Sequence, residues 1–242
     1  MRRFLNPWTI VLLLLMAYFS FRDNAFSSPG EWFISIVIML PGIVIGLSFH
    51  EYAHAVTAWK LGDDTPKIQG RVTINPAAHI DAIGMIALIF VRFGWGKPVQ
   101  INPGNFKNPR RDDLIVSVAG VIMNFIVALI FTFVLKFYVA AAGYSYISAG
   151  MGGTVWLMIF YVIYINLILM IFNLLPIPPL DGFNIITEIF NLKRTDFYYK
   201  IYDKGFIILM VLILLNFTGR ILTPAVNFFL GLLSNITPLP FY

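Results

Sequence analysis

The chain has no cysteine in its 242 residues, so it can hold no disulfide and no thiolate-bound metal. Charge is also scarce. Only 12% of residues are Asp, Glu, Lys or Arg, against about 25% in a soluble domain. This leaves too little polar surface for a water-soluble globule and no length for a large soluble domain. A nucleic-acid footprint is missing too. The net charge is +5, but the basic residues sit in loops between apolar runs, where they act as topology signals. No internal repeat or low-complexity tract occurs. The N-terminus, Arg2 and Arg3 followed by an apolar run, lacks a small-x-small cleavage pattern because Tyr18, Phe19 and Phe21 crowd that region. It reads as a retained first helix.

What is present is hydrophobicity, at 59% of residues. Apolar segments cover roughly 5–21, 32–59, 113–140 and 153–175, with a less regular set from 182 to 234. The spacing predicts one all-α polytopic membrane domain over residues 1–242, with about six transmembrane helices. Between helices 2 and 3, "KIQGRVTINP" alternates enough to predict a short strand or hairpin, and an edge near 68–75 could pair with an extended substrate. "AIGMIALIFVRFGWG" is short and glycine-rich, which predicts a re-entrant or interfacial segment. Eight of the seventeen Lys and Arg residues lie in 60–112, whereas "AAGYSYISAGMGG" carries no charge. The positive-inside pattern predicts a multi-pass protein of the cell membrane with a cytoplasmic N-terminus.

One of these apolar runs contains "GLSFHEYAHAV", Gly46 to Val56. An ionisable side chain at mid-membrane costs roughly 2.5–3.5 kcal/mol or more, so it is expected to carry a function. His50 and His54 are four apart and share a helical face, so both can reach one ion. Glu51 projects beside them, placed to take a proton from a water. Zinc suits imidazole and carboxylate donors, and a third protein ligand is required. Between Asp113 and Asp196 the only acidic residues are Asp181 and Glu188. Asp181 ends "NLLPIPPLDG", where Pro176, Pro178 and Pro179 prevent regular helix. Positive-inside orientation puts this segment and the His50 end of its helix on one side of the membrane. Asp181 could therefore be the third ligand, or it could cap the helix that follows.

"HEYAH", "NPAAHIDAIG", "GKPVQINPGNF", "NPRRDD", "SVAGVIMN" and "NLLPIPPLDG" together resemble the site-2 protease family of intramembrane zinc metalloproteases. The likeness runs from about residue 40 to 190, and fits the compact subgroup without a PDZ or CBS domain. Ala82 stands where the family often has proline, and Val121 where "AGP" is usual. The resemblance implies one Zn²⁺ per chain on His50, His54 and Asp181, with Glu51 as catalytic acid and base. Asn173 matches the family's asparagine before the proline segment. It could donate to a tetrahedral oxyanion, or cap carbonyls freed near Pro176. The implied partners are the lipid bilayer and a transmembrane helix of a substrate protein, cleaved near the cytoplasmic face. A metal or proton transporter built on the same cluster is the alternative. It would need further ionisable residues along other spans, for which Lys136 and Glu188 are the candidates.

Seven other polar or small positions stand out. Asn124, inside the third apolar run, is expected to bond between helices. Gly42, Gly46, Ser117 and Gly120 predict close packing of the second helix on the third. His79 and Asp81 could support the metal site or a substrate loop, and are expected rather to stabilise a turn.

Overall fold

The structure, a computed structural model, describes residues 10, 11, 14, 15, 18, 28–91, 94–147 and 150–236. Every regular element among them is helical, and the one β-type contact is an antiparallel bridge between Ile80 and Gly96. Helix α1 (Pro29–Lys60) opens with Ser28 as N-cap, its side chain accepting from the Glu31 N–H, and with proline at its first position. Glu31 lies at its positive end and Lys60 at its negative end. At 32 residues it is about 48 Å long, more than the roughly 30 Å hydrocarbon core. A short helix, α2 (Ala82–Val91), follows the loop. Then come the long helices α3 (Pro109–Ala142) and α4 (Gly150–Asn173), and the shorter α5 (Asp181–Ile189), α6 (Asp196–Tyr202), α7 (Gly205–Leu214) and α8 (Phe217–Ser234).

The main core is a three-helix seam. Val121, Ala128 and Leu135 recur every seven residues along α3 and meet Ile163, Leu167, Met170 and Ile171 of α4 and Val226, Leu230 and Leu233 of α8. A second cluster, Leu175 and Leu180 with Leu209 and Met210, fixes the proline segment against α7. Gly205 is needed there, because a Cβ would run into the Pro178 ring and carbonyl.

Among the described residues three helices, α1, α3 and α4, are long and apolar enough to cross a membrane, and α7 with α8 makes a fourth span if that pair is counted as one. The expected first helix, 5–21, falls largely outside the described residues. The two expected C-terminal spans do not appear as separate crossings. Helix α7 has ten residues, about 15 Å of helix, and a 76° bend separates it from α8. The break is at Asn216, whose φ is 53°.

The predicted hairpin near 68–75 is also absent among the described residues. Proline at the start of the helical turn Thr65–Ile68 commits that stretch to helix. Gly70 then turns the chain with φ 67°, and the Arg71 N–H bonds back to the Pro66 carbonyl. Helix α2, also ten residues long, is too short to span.

Candidate active site

Three elements meet at the cluster. His50 and His54 sit one turn apart on α1, and their Nε2 atoms are 3.0 Å from each other. Asp181 Oδ2 lies 3.2 Å from His50 Nε2 and 3.3 Å from His54 Nε2. The far side of each ring is tied down. His50 Nδ1 donates to Asn124 Oδ1 at 2.7 Å, and His54 Nδ1 donates to the Val116 carbonyl at 2.8 Å. The Asn124 amide nitrogen donates to the Gly46 carbonyl at 3.1 Å, which leaves its oxygen for His50. With both ring protons on Nδ1, both Nε2 atoms are lone-pair donors.

Three electron-pair donors therefore converge, and Asp181 Oδ2 is buried with no hydrogen-bond partner. Such an arrangement repels itself unless a cation, or a proton on one imidazole, lies between the donors. A tetrahedral zinc with bonds of about 2.0–2.1 Å spaces its ligands about 3.3 Å apart, and the observed edges match that spacing. The donor set thus fits zinc.

Local sequence explains how Asp181 arrives. Helix α4 stops at Asn173, and the proline segment carries the chain round. Asp181 is the first residue of α5, after Leu180 as N-cap, so its side chain is not the cap. Gly182 permits the tight return, since a Cβ there would stand 2.6 Å from the Leu175 carbonyl oxygen. Gly120 on α3 is the other required glycine. A Cβ would overlap His54 Nε2 and lie 2.6 Å from His50 Cε1.

Glu51 is held differently. Its Oε2 accepts the Val99 N–H at 2.8 Å. Val99 belongs to the segment after Gly96, whose Lys97 N–H bonds to the His79 carbonyl at 2.7 Å. Buried Arg71 donates from Nη2 to the carbonyls of Lys97 and Pro98. Asp63 anchors the far end of this segment by accepting from the Asn102 N–H and the Asn105 amide, both at 2.7 Å. His79 and Asp81 make local contacts: His79 Nε2 is 2.6 Å from the Thr73 carbonyl, and Asp81 Oδ1 accepts the Gly84 N–H at 2.8 Å.

The Asn173 amide donates to the Leu169 carbonyl at 3.0 Å, within its own helix. That leaves one amide hydrogen uncommitted by this bond. Asn166 was not foreseen from sequence. Fully buried on α4, it accepts from Asn124 at 3.0 Å and donates to the Val162 carbonyl at 2.8 Å. Its signal was available as an amide inside an apolar run, the same signal that marks Asn124. The glycine pair of α1 also packs differently from expectation. Gly42 and Gly46 approach Tyr161, Ile165, Asn166 and Leu169 of α4, while Gly120 of α3 meets the two histidines.

An apolar cavity of about 530 Å³ opens between α1, α2 and α4. Leu47, one turn before Glu51, and Trp95, next to Gly96, are in its wall.

Comparison with known proteins agrees with this chemistry. The profile of peptidase family M50 matches residues 140–216. The Bacillus subtilis (strain 168) protein named "Putative zinc metalloprotease YwhC" is 38% identical over 190 residues, covering 76% of this chain and 84% of its own. The chain belongs to peptidase family M50, the site-2 proteases. "Putative zinc metalloprotease Rip2" of Mycolicibacterium smegmatis is 26% identical over 195 residues, 79% of this chain and 69% of that one. Rip2 of Mycobacterium tuberculosis (strain H37Rv) is 27% identical over 153 residues, 61% and 55% of the two chains. No solved structure matches. Family and relatives imply Zn²⁺ as the cofactor of this membrane-embedded metalloprotease.

Proposed function

We propose that the chain is an intramembrane zinc endopeptidase that cleaves a transmembrane segment of a protein substrate near the cytoplasmic face. The observation that carries this reading is the convergence of His50, His54 and Asp181 within 3.3 Å of one another. These three residues hold the zinc. When bound, zinc supplies Lewis-acid polarisation and lowers the pKa of a water to about 7. Glu51 takes the proton of the attacking water and later delivers it to the leaving amine. The Val99 N–H keeps one Glu51 oxygen fixed, so the other is free to exchange the proton. Asn173 donates its uncommitted amide hydrogen to the developing oxyanion.

The substrate class follows from the surroundings. The cavity beside Glu51 is lined almost wholly by apolar side chains, which suits a hydrophobic segment. A helix hides its peptide bonds in its own hydrogen-bond ladder, so the bound segment is cleaved after local unwinding. The basic residues of loop 60–112 support a cell-membrane orientation with this end of α1 on the cytoplasmic side, where water would reach Glu51.

Transport through the same cluster finds no support. Lys136 is exposed, and Glu188 pairs with Lys193. Among the described residues the polar chain from His50 ends at Asn166. Cleavage of a purified single-span substrate, with the cut mapped by mass spectrometry, tests the proposal. Wild type should cut within the cytoplasmic half of the apolar segment, and Asn173→Ala should cut more slowly. A cut confined to soluble flanking sequence would overturn the substrate assignment.

A further inference from the structure

Helix α5 meets α3 at two points, and the spacing is matched. Asp181 and Glu188 are seven residues apart on α5. Gly120 and Asp113 are seven apart on α3. Seven residues are two turns, so each pair lies on one helical face. At the first point, Asp181 reaches the histidines that pack on Gly120. At the second, Lys193 Nζ lies 2.5 Å from Asp113 Oδ2 and 2.5 Å from Glu188 Oε1. Both carboxylates are nearly buried, with side chains 11% and 7% exposed. Arg110, one turn before Asp113, donates to the Glu188 carbonyl from Nε and to the Ile189 carbonyl from Nη2, each at 2.6 Å. It thereby caps the C-terminal end of α5, adding to the Asn191 N–H that the Glu188 carbonyl already accepts at 3.3 Å.

We infer that Lys193, with Arg110, is a positioning device for the metal site: it locks the C-terminal end of α5 onto α3 and so sets the reach of Asp181 at the other end. This rests on Asp181 being a zinc ligand. The physical reason is the like charge on the two facing carboxylates. Without the ammonium between them, Asp113 and Glu188 repel across a poorly hydrated gap. A nine-residue helix is short and stiff, so displacement at Glu188 carries to Asp181 two turns away. Lys193 needs no contact with substrate or metal to act this way.

The test is zinc affinity, measured by competition with a chromophoric chelator, together with the visible spectrum of the Co²⁺-substituted protein. Lys193→Met should weaken zinc about tenfold, at the low end of what supporting residues around a metal site are worth, and should alter the cobalt spectrum. Adding Glu188→Gln to that variant removes the repulsion and should restore affinity to within about threefold. Simple loss of stability is separated by the cobalt spectrum, which reports ligand geometry in the folded protein and which a merely less stable protein leaves as in wild type. If Lys193→Met does not fold, Arg110→Met frees the same helix end with the charges intact and should weaken zinc about threefold or more. Wild-type zinc affinity in the folded Lys193→Met protein, or in Arg110→Met where that variant is the one measured, overturns the inference, as does a double variant no better than the single. Asp181→Asn separates the two levels. If it binds zinc like wild type, the ligand assignment fails; if it loses zinc while the Lys193 and Arg110 variants do not, only the positioning role fails.

Discussion

His50 and Glu51 are neighbours in sequence but live in two differently built regions. His50 is gripped from within the helix bundle, by Asn124 of α3 and through it by Asn166 of α4. Glu51 is gripped from outside the bundle, by a backbone N–H of the 96–102 segment. The proposed metal site thus joins two side chains of the long helix α1 to one at the start of the short α5, all packed within the bundle, whereas the proposed proton-transfer group is steadied by a loop. The first needs rigid packing to keep three electron-pair donors together. The second needs only one correctly placed amide. The two functions should therefore be separable by mutation, although the residues are adjacent.

The strongest way to break the bundle half is Gly120→Val. Its side chain enters the space of both imidazoles, and overpacking of this kind costs about 3 kcal/mol or more. Zinc retention after dialysis should be lost, with Glu51 untouched. Asn124→Ala should be milder. It leaves His50 Nδ1 without an acceptor and should weaken zinc about tenfold to hundredfold, the usual worth of such a partner; unchanged affinity would show that the amide only joins helices. On the loop half, Val99→Pro deletes the N–H that Glu51 accepts. A hydrogen bond to a charged group is worth about 1.5–3 kcal/mol, so kcat should fall about tenfold or more while zinc content stays at the wild-type level. A parallel loss of zinc would mean that the two halves are one unit.

The smallest effect concerns pH. Burial alone would raise the Asp63 pKa, but bonds from Thr65, Asn102 and Asn105 outweigh it and hold the carboxyl below its ordinary 3.8. A depressed folded pKa stabilises the fold above the unfolded value and loses that contribution as pH falls through the folded one. Protection of the 96–105 amides, taken relative to their intrinsic exchange rates at each pH, should therefore fall below about pH 4, and Asp63→Asn should abolish that dependence.

The same division explains what could be read in the sequence. His50, His54 and Glu51 were visible because their spacing is a helical one and their setting is apolar. Asp181 was visible because few carboxylates compete with it. Span number was less legible. Ten apolar residues in α7 look like part of a crossing until the bend at Asn216 is seen. The hairpin expected at 68–75 failed because alternation alone ignored Pro66 and Gly70. Gly120 was noted as a small residue but its use was hidden, since only the fold shows that two imidazoles fill the space. Val99 could not have been found at all, because a backbone amide leaves no mark on residue identity. Lys193 read as a charge that orients the chain, yet it also lies between two carboxylates from separate helices.

Separability is tested most directly by measuring bound zinc and substrate cleavage side by side in Glu51→Gln and His54→Ala. Glu51→Gln should keep about one zinc per chain and lose cleavage by roughly 10²–10⁴-fold, the usual worth of a general base. His54→Ala should lose both. Cleavage at the wild-type rate by Glu51→Gln, or full zinc content in His54→Ala, would contradict the assignment of these two neighbouring regions.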